Sequence, residues 1–265
     1  MIYRVSDNRR ASRTRPITAL AKDYPAGWHV PRHRHLRGQV VYAASGTMRV
    51  TTRQGIWIVP PQRAVWVPPR MLHEVRMEGA VAMRTLYLDQ EASAPLGAAC
   101  KVLFVSSLMR ELILEVVGSA NASPRSERMR LMTPLLLREL CHAEQTPVHI
   151  PVPSDPRLRK VCTRVLEDPS RTETLEQLAY HAGASSRTSA RLFERELKMT
   201  FLEWRQQVRL ARAISEIGVG SSIKQAARDA GYASSSAFTA MFRRALGVTP
   251  TRYLQEAFGP RRLAR

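Results

Sequence analysis

Histidines at positions 33 and 35 alternate along the chain, so on an extended strand both imidazoles project from one face. Gln39 follows closely, and His73 stands apart, beyond Pro68. Three imidazoles suffice to hold zinc or nickel. The Gln39 amide is a poorer ligand than a carboxylate for a hard divalent ion. Where the fold brings His73 to them, His33, His35 and Gln39 would build a polar pocket. Within it, His33, His35 and His73 would either hold a divalent metal (Zn, Ni or Fe) or hydrogen-bond an effector. Trp57, Trp66 and Tyr42, with Trp28, are close enough in sequence to add an apolar wall, although each alone is an ordinary core residue.

A second set of residues carries a different chemistry. Leu175–Gly183 and Ile223–Gly231 repeat the same pattern, with small Ala179 and Ala227 four residues before the glycines, which are 48 apart. Phe193 and Phe242 continue the match at an offset of 49. A small residue lets a second helix approach the first, and glycine permits the positive φ of the turn between them. Ser185 or Ser186, and Ser234 or Ser235, can cap the following helices. Leu192/Phe193/Leu197 and Phe238/Phe242/Leu246 then form buried stripes. The outward residues are short or basic: Arg187, Thr188 and Arg191 in one unit, and Ser235, Ser236, Thr239, Arg243 and Arg244 in the other. Such side chains suit a helix in the DNA major groove, where Arg bonds guanine bidentately.

The elements that must position these residues fall into two textures. Up to about Leu88, short β-rich runs such as Gln39–Ala43, Thr47–Thr52, Ile56–Val59, Ala64–Val67 and Ala82–Leu88 are separated by Gly and Pro, which predicts an all-β sandwich or barrel. From about Ala98 helical spacing takes over. Leu103, Leu108, Leu112, Ile113, Val116 and Val117 form one run. Ser126–Ala143 forms another, with Pro134 inside it as a point of kinking or splitting. The pair reads as an αα-hairpin across Asn121–Pro124, either packed on the barrel or acting as a dimer seam. Thr146–Pro153 reads as an extended Pro-rich linker, and the remainder is helical. The expected divisions are residues 1–97 (barrel), 98–145 (hairpin), 146–155 (linker) and 156–265 (helical domain).

The formal net charge of +19 gives affinity for polyanions, nucleic acid first. The excess is spread over both parts: 21 Lys+Arg against 11 Asp+Glu in residues 1–150, and 20 against 11 in residues 151–265. Three scattered cysteines (Cys100, Cys141 and Cys162) fit a reducing cytoplasm better than a disulfide framework. No apolar run is long enough to span a membrane, and the Arg-rich start (Arg4, Arg9, Arg10, Arg13, Arg15) lacks the apolar core of a secretory signal.

The stretch Ala226–Leu254 resembles the C-terminal signature of AraC/XylS-type transcription regulators. The resemblance rests on Gly231–Tyr232, Ser236–Ala237–Phe238, Phe242–Arg243–Arg244, Gly247–Val248–Thr249–Pro250 and Tyr253, and extends back to about Pro156. It implies a seven-helix domain whose two recognition helices enter successive major-groove segments and are joined by a long helix over Phe201–Ile217. Base-edge contacts would fall on Arg187 and Arg191, then on Ser235, Ser236 and Thr239. Ala190 and Ala240 would be limited to thymine methyl contacts, with Arg243 and Arg244 on phosphate. The N-terminal spacing His33-x-His35-x3-Gln39-x6-Gly46 with a distant His73 resembles the cupin metal pattern. Gln39 replaces its Glu, and Arg70 stands where a Gly is expected.

Together these imply an α+β multidomain chain: a cupin-like barrel with an αα-hairpin, followed by an all-α double helix-turn-helix domain. The implied function is a sequence-specific transcription regulator, an activator by resemblance, working on promoter DNA with RNA polymerase and controlled by a small-molecule effector. It would act in the cytoplasm, at the nucleoid when bound to DNA, as a homodimer if residues 98–145 pair. The alternative is a metal-dependent cupin enzyme, such as a dioxygenase or isomerase, with a DNA-binding tail. Gln39 and the lack of another acid/base pair weigh against it. A protein binding DNA by charge alone would not need two matched recognition helices.

Overall fold

The computed structural model describes residues 15–119, 126–145 and 149–258, with side chains to 255. The Arg-rich segment before Arg15, the Asn121–Pro124 turn and the first residues of the linker lie outside these. Among the described residues, ten strands form two five-stranded antiparallel sheets. One has the order β1-β8-β3-β6-β9 and the other β10-β5-β4-β7-β2. The strands are β1 (Ile17–Tyr24), β2 (His29–His33), β3 (Gly38–Ser45), β4 (Met48–Thr52), β5 (Gly55–Val59), β6 (Arg63–Val67), β7 (His73–Met77), β8 (Val81–Leu88), β9 (Lys101–Phe104) and β10 (His149–Pro151).

Period-two alternation sorts each strand's side chains into two environments. Val41, Ala43, Met48, Val50, Trp57, Val59, Val65, Val75, Met77 and Val102 fill the space between the sheets, making a cupin-like barrel with a packed interior. A one-turn helix, α1 (Gln90–Ser93), follows β8 and is capped by the Asp89 side chain. Val40, Tyr42, Trp66, Leu86 and Leu103 point away from the barrel interior. They meet Met109, Ile113, Val116, Leu136 and Leu140 of helices α2 (Ser107–Gly118) and α3 (Glu127–His142). The hairpin thus packs on the outside of the first sheet.

Three expectations change. Leu103 belongs to a strand, not a helix: Lys101–Phe104 alternates Val102 inward with Leu103 outward and pairs with β6, so barrel strands continue past residue 97. Pro134 does not split α3, which runs through it with Leu136 and Leu140 buried just beyond. The Pro-rich segment is more than a tether, because His149–Pro151 pairs with Trp57–Gly55 at the sheet edge. An edge strand tolerates proline, since only one of its two sides must donate to a neighbouring strand.

Seven helices follow among the described residues: α4 (Pro156–Glu167), α5 (Leu175–His181), α6 (Ser186–Leu192), α7 (Phe201–Gly218), α8 (Ile223–Asp229), α9 (Ser235–Leu246) and α10 (Pro250–Phe258). Capping chemistry sets their starts. Thr200 accepts from the Glu203 N–H at 3.2 Å, and Glu203 accepts from the Thr200 N–H at 2.7 Å, a capping box that fixes the entry of the 18-residue α7. Ser185 and Ser234, rather than Ser186 and Ser235, cap α6 and α9. Gly183 and Gly231 take φ of 75° and 79° between the paired helices. A short π-helical turn, Phe193–Leu197, extends α6.

Candidate effector pocket and nucleic-acid interface

The three histidines do converge. His33 and His73 are a cross-strand pair between β2 and β7, and the His33, His35 and His73 ring centroids lie 4.3–5.6 Å apart. One nitrogen from each ring falls within 4.8 Å of the others. His33 Nδ1 donates to the Pro31 carbonyl at 2.8 Å, and His73 Nδ1 donates to the Met71 carbonyl at 2.9 Å. A carbonyl only accepts, so each Nδ1 carries a proton, leaving Nε2 as the other ring nitrogen. In His73 that Nε2 is buried and has no hydrogen-bond partner. Burial lowers the His73 pKa to about 4, so the ring is neutral near pH 7.

Gln39 is buried on β3, opposite Val67 and Tyr87, on the strand face that also carries Val41. Its amide oxygen has no hydrogen-bond partner, nor has the Thr85 hydroxyl on the same face of β8. Tyr87 sets its ring edge-on to His35 at 5.0 Å. Burial raises the pKa of its phenol to about 12, keeping it protonated and able to donate. Sequence reasoning missed Tyr87 and Thr85, although their alternation along β8 was the signal for them.

The aromatic wall divides. Trp57 faces the barrel interior and stacks on His149 at 4.6 Å. Tyr42 and Trp66 face the helical hairpin instead, because they alternate with inward Val41, Val65 and Val67. The Trp66 indole donates to the Gly97 carbonyl at 2.9 Å. They are core, not pocket. Trp28 lies 6.1 Å from Tyr24 and is 40% exposed.

In the helical domain, Arg187 and Arg191 are one turn apart on α6 and both are exposed. Thr188 lies beside them, its hydroxyl 2.9 Å from the Ser185 cap. On α9, Ser235, Ser236, Arg243 and Arg244 are exposed and Thr239 is half-buried. Ser236, Thr239 and Arg243 recur at helical spacing and share one side. Beneath them Phe238 and Phe242 are buried. Each unit therefore presents a short polar or basic face over an aromatic core.

The two parts are packed together. Ile58 of β5 and Ile150 of β10 point away from the barrel interior and join the same apolar cluster as Trp204, Leu210 and Ile214 of α7. The Trp204 indole donates to the Pro151 carbonyl at 2.9 Å. A Cβ on Gly218 would overlap the Thr47 hydroxyl, so the Thr47 side chain of the β3–β4 turn sits directly on the helix backbone. Cys100, Cys141 and Cys162 are free thiols, and burial raises the pKa of Cys100 and Cys162. Among the described residues no helix is long and apolar enough to cross a membrane.

Comparison with known proteins agrees with both halves. Residues 16–112 match the model of the AraC-like ligand binding domain, and residues 178–256 match a helix-turn-helix domain. The HTH-type transcriptional regulator NimR of Escherichia coli (strain K12) is 32% identical over 224 residues, covering 84% of this chain and 82% of NimR. RipA of Corynebacterium glutamicum, also an HTH-type transcriptional regulator, is 32% identical over 109 residues, covering 41% of this chain and 33% of RipA. Among solved structures, Vibrio cholerae ToxT with bound unsaturated fatty acid aligns over 92% of this chain and 96% of its own at 14% identity, with a TM-score of 0.40. A ligand-binding barrel docked on a double helix-turn-helix, with a relative matched over most of both chains, makes this protein a member of the AraC family of DNA-binding transcription regulators.

Proposed function

We propose that the chain is a promoter-binding activator in which a small molecule or metal ion held by His33, His35 and His73 alters the seating of the barrel on α7. The observation that carries this reading is the shared apolar cluster of Ile58, Ile150 and Trp204. In β10, His149 stacks on Trp57 while the next residue, Ile150, is buried against the DNA-binding domain. β10 and β2 are opposite edges of one sheet, so a ligand at the three histidines would reach Ile150 through the intervening strands β7, β4 and β5. Coupling requires different affinity for the two seatings.

The unpartnered His73 Nε2 and the convergence of one nitrogen from each of the three rings fit a transition-metal ligand set. The Pro31 and Met71 carbonyls orient the rings, as the hydrogen-bond acceptors behind metal-bound imidazoles do. Zinc or nickel suits three imidazoles, and the Gln39 amide makes iron the poorer fit. A bound metal would supply a Lewis-acidic anchor for an effector. The relatives are regulators, and we assign the pocket to sensing rather than turnover.

Arg187, Arg191, Ser235, Ser236 and Thr239 would read base edges, with Arg243 and Arg244 on phosphate. Leu131 and Leu135, one turn apart on α3 and 70% and 41% exposed, would meet a second copy of this chain. RNA polymerase would be recruited from the cytoplasmic pool at the bound promoter.

The test is a thermal-shift screen of metal ions and metabolites on the full chain, because a barrel cut away from α7 would expose Ile58. A specific ligand raises the melting temperature by mass action. The same ligand should change affinity for a selected DNA site, and His73→Ala should abolish both effects. A ligand that stabilises the protein equally with and without the three histidines would overturn the assigned pocket.

A further inference from the structure

The two turn glycines of the repeat take the same left-handed conformation but have different surroundings. A Cβ on Gly183 would meet nothing within 4 Å. A Cβ on Gly231 would lie 2.9 Å from the Ser170 Cα and 2.9 Å from a terminal nitrogen of Arg209. The turn of the second helix-turn-helix is therefore pressed against the loop that leads into the first, with an arginine between them.

Arg209 sits in the middle of α7, the helix that connects the units. Its Nε donates to the Pro169 carbonyl at 3.1 Å, and a terminal nitrogen donates to the Arg171 carbonyl at 3.3 Å. Both carbonyls belong to the loop between α4 and α5. On its other side the guanidinium lies 5.7 Å from the centre of the Tyr232 ring. Tyr232 directly follows Gly231, and its ring stands 5.6 Å from that of Phe238, the buried anchor of α9. One planar cation thus reaches the first unit by two hydrogen bonds and the second through an aromatic face. A lysine has neither the fork nor the plane to do both.

We propose that Arg209 is a positioning residue that fixes the separation of the two recognition helices, so that the protein accepts one spacing between the two halves of its DNA site. The role is mechanical: α7 supplies the length, and Arg209 with the Gly231–Ser170 contact removes the hinge that a lone connecting helix would leave. The inference rests on the reading of α6 and α9 as the base-contacting helices.

The test uses the full chain and a duplex selected from a random library, together with versions carrying one or two base pairs inserted or deleted between the half-sites. For the natural sequence, each change of spacing should cost about tenfold or more in affinity. Arg209→Ala should weaken binding to the selected spacing several-fold and flatten the spacing profile. Arg209→Lys should be intermediate, and Gly231→Asn, which tolerates the positive φ but collides with Ser170, should shift or flatten the profile where Gly183→Asn does not. If Arg209→Ala fails to fold, the Lys and Asn variants carry the same comparison. An unchanged profile, or an equal loss on every spacing and on random DNA, overturns the proposal. Arg191→Ala run in parallel isolates the underlying reading: if it loses no base preference, the recognition-helix assignment fails instead.

Discussion

The indole of Trp204, in the helix that connects the two DNA-binding units, donates to the carbonyl of Pro151, in the last strand of the sensor sheet, at 2.9 Å. Trp204 is fully buried, and its ring also packs 5.8 Å from Phe193 at the end of the first recognition unit. One side chain therefore touches the sensor strand and the reading head at once.

Trp204→Phe keeps the aromatic packing and removes that donor, leaving the Pro151 carbonyl unpaired. The expected loss is about 1–3 kcal/mol in urea unfolding. Ligand-induced change in DNA affinity should shrink as well. A variant as stable and as responsive as the parent would show that the bond has no part in the coupling.

Gly218→Val should wedge the domains apart, because the new side chain enters the space of the Thr47 hydroxyl. The glycine lies on α7 without a positive φ, so the helix itself tolerates the change. Overpacking of this kind costs about 1–3 kcal/mol. Calorimetry should resolve a single transition into two as barrel and helical domain melt separately.

Acid should weaken the metal-free protein through its buried histidines. Burial depresses His73 to about 4 and lowers His149 from 6.5. A base depressed by folding contributes stability fully above its unfolded value near 6.5 and loses it as pH falls toward the folded value. The expected result is a flat urea midpoint from pH 8 to 7 and a decline between pH 6.5 and 4, with His73 contributing up to about 3 kcal/mol. His73→Gln should flatten most of that decline.

Arg191→Ala should cost roughly 1–3 kcal/mol on the selected site and relax one base preference. Arg243→Ala should weaken binding to all sequences and reduce the salt dependence by about one unit of slope. Fluorescence anisotropy on selected and random duplexes, across salt concentrations, separates the two behaviours. Equal losses on both duplexes for Arg191→Ala would remove it from base readout.

Leu131→Glu with Leu135→Glu places two charges on the exposed stripe of α3. If a second copy covers that stripe, sedimentation should show the parent as a dimer and the variant as a folded monomer. A monomeric parent would leave the hairpin with its packing role alone.

Much of this was readable from order and spacing. The repeated Ala-x3-Gly pattern placed both helix-turn-helix units, since a close helix approach and a positive-φ turn need those residues whatever the surroundings. His33 and His35 had to share a face because strands alternate, and the pairing of His73 with them followed the family resemblance. Spacing alone could not say which face of a strand looks inward. Tyr42 and Trp66 sit one residue out of phase with Val41 and Val67, and only the position of the helical hairpin decided that they serve the outer core. Nor could local sequence show that a Pro-rich segment would complete a sheet, or that Arg209 would lie between Pro169 and Tyr232. Those contacts join residues about 20 to more than 90 positions apart. Local propensity is blind at that range, and only the packing of whole elements creates them.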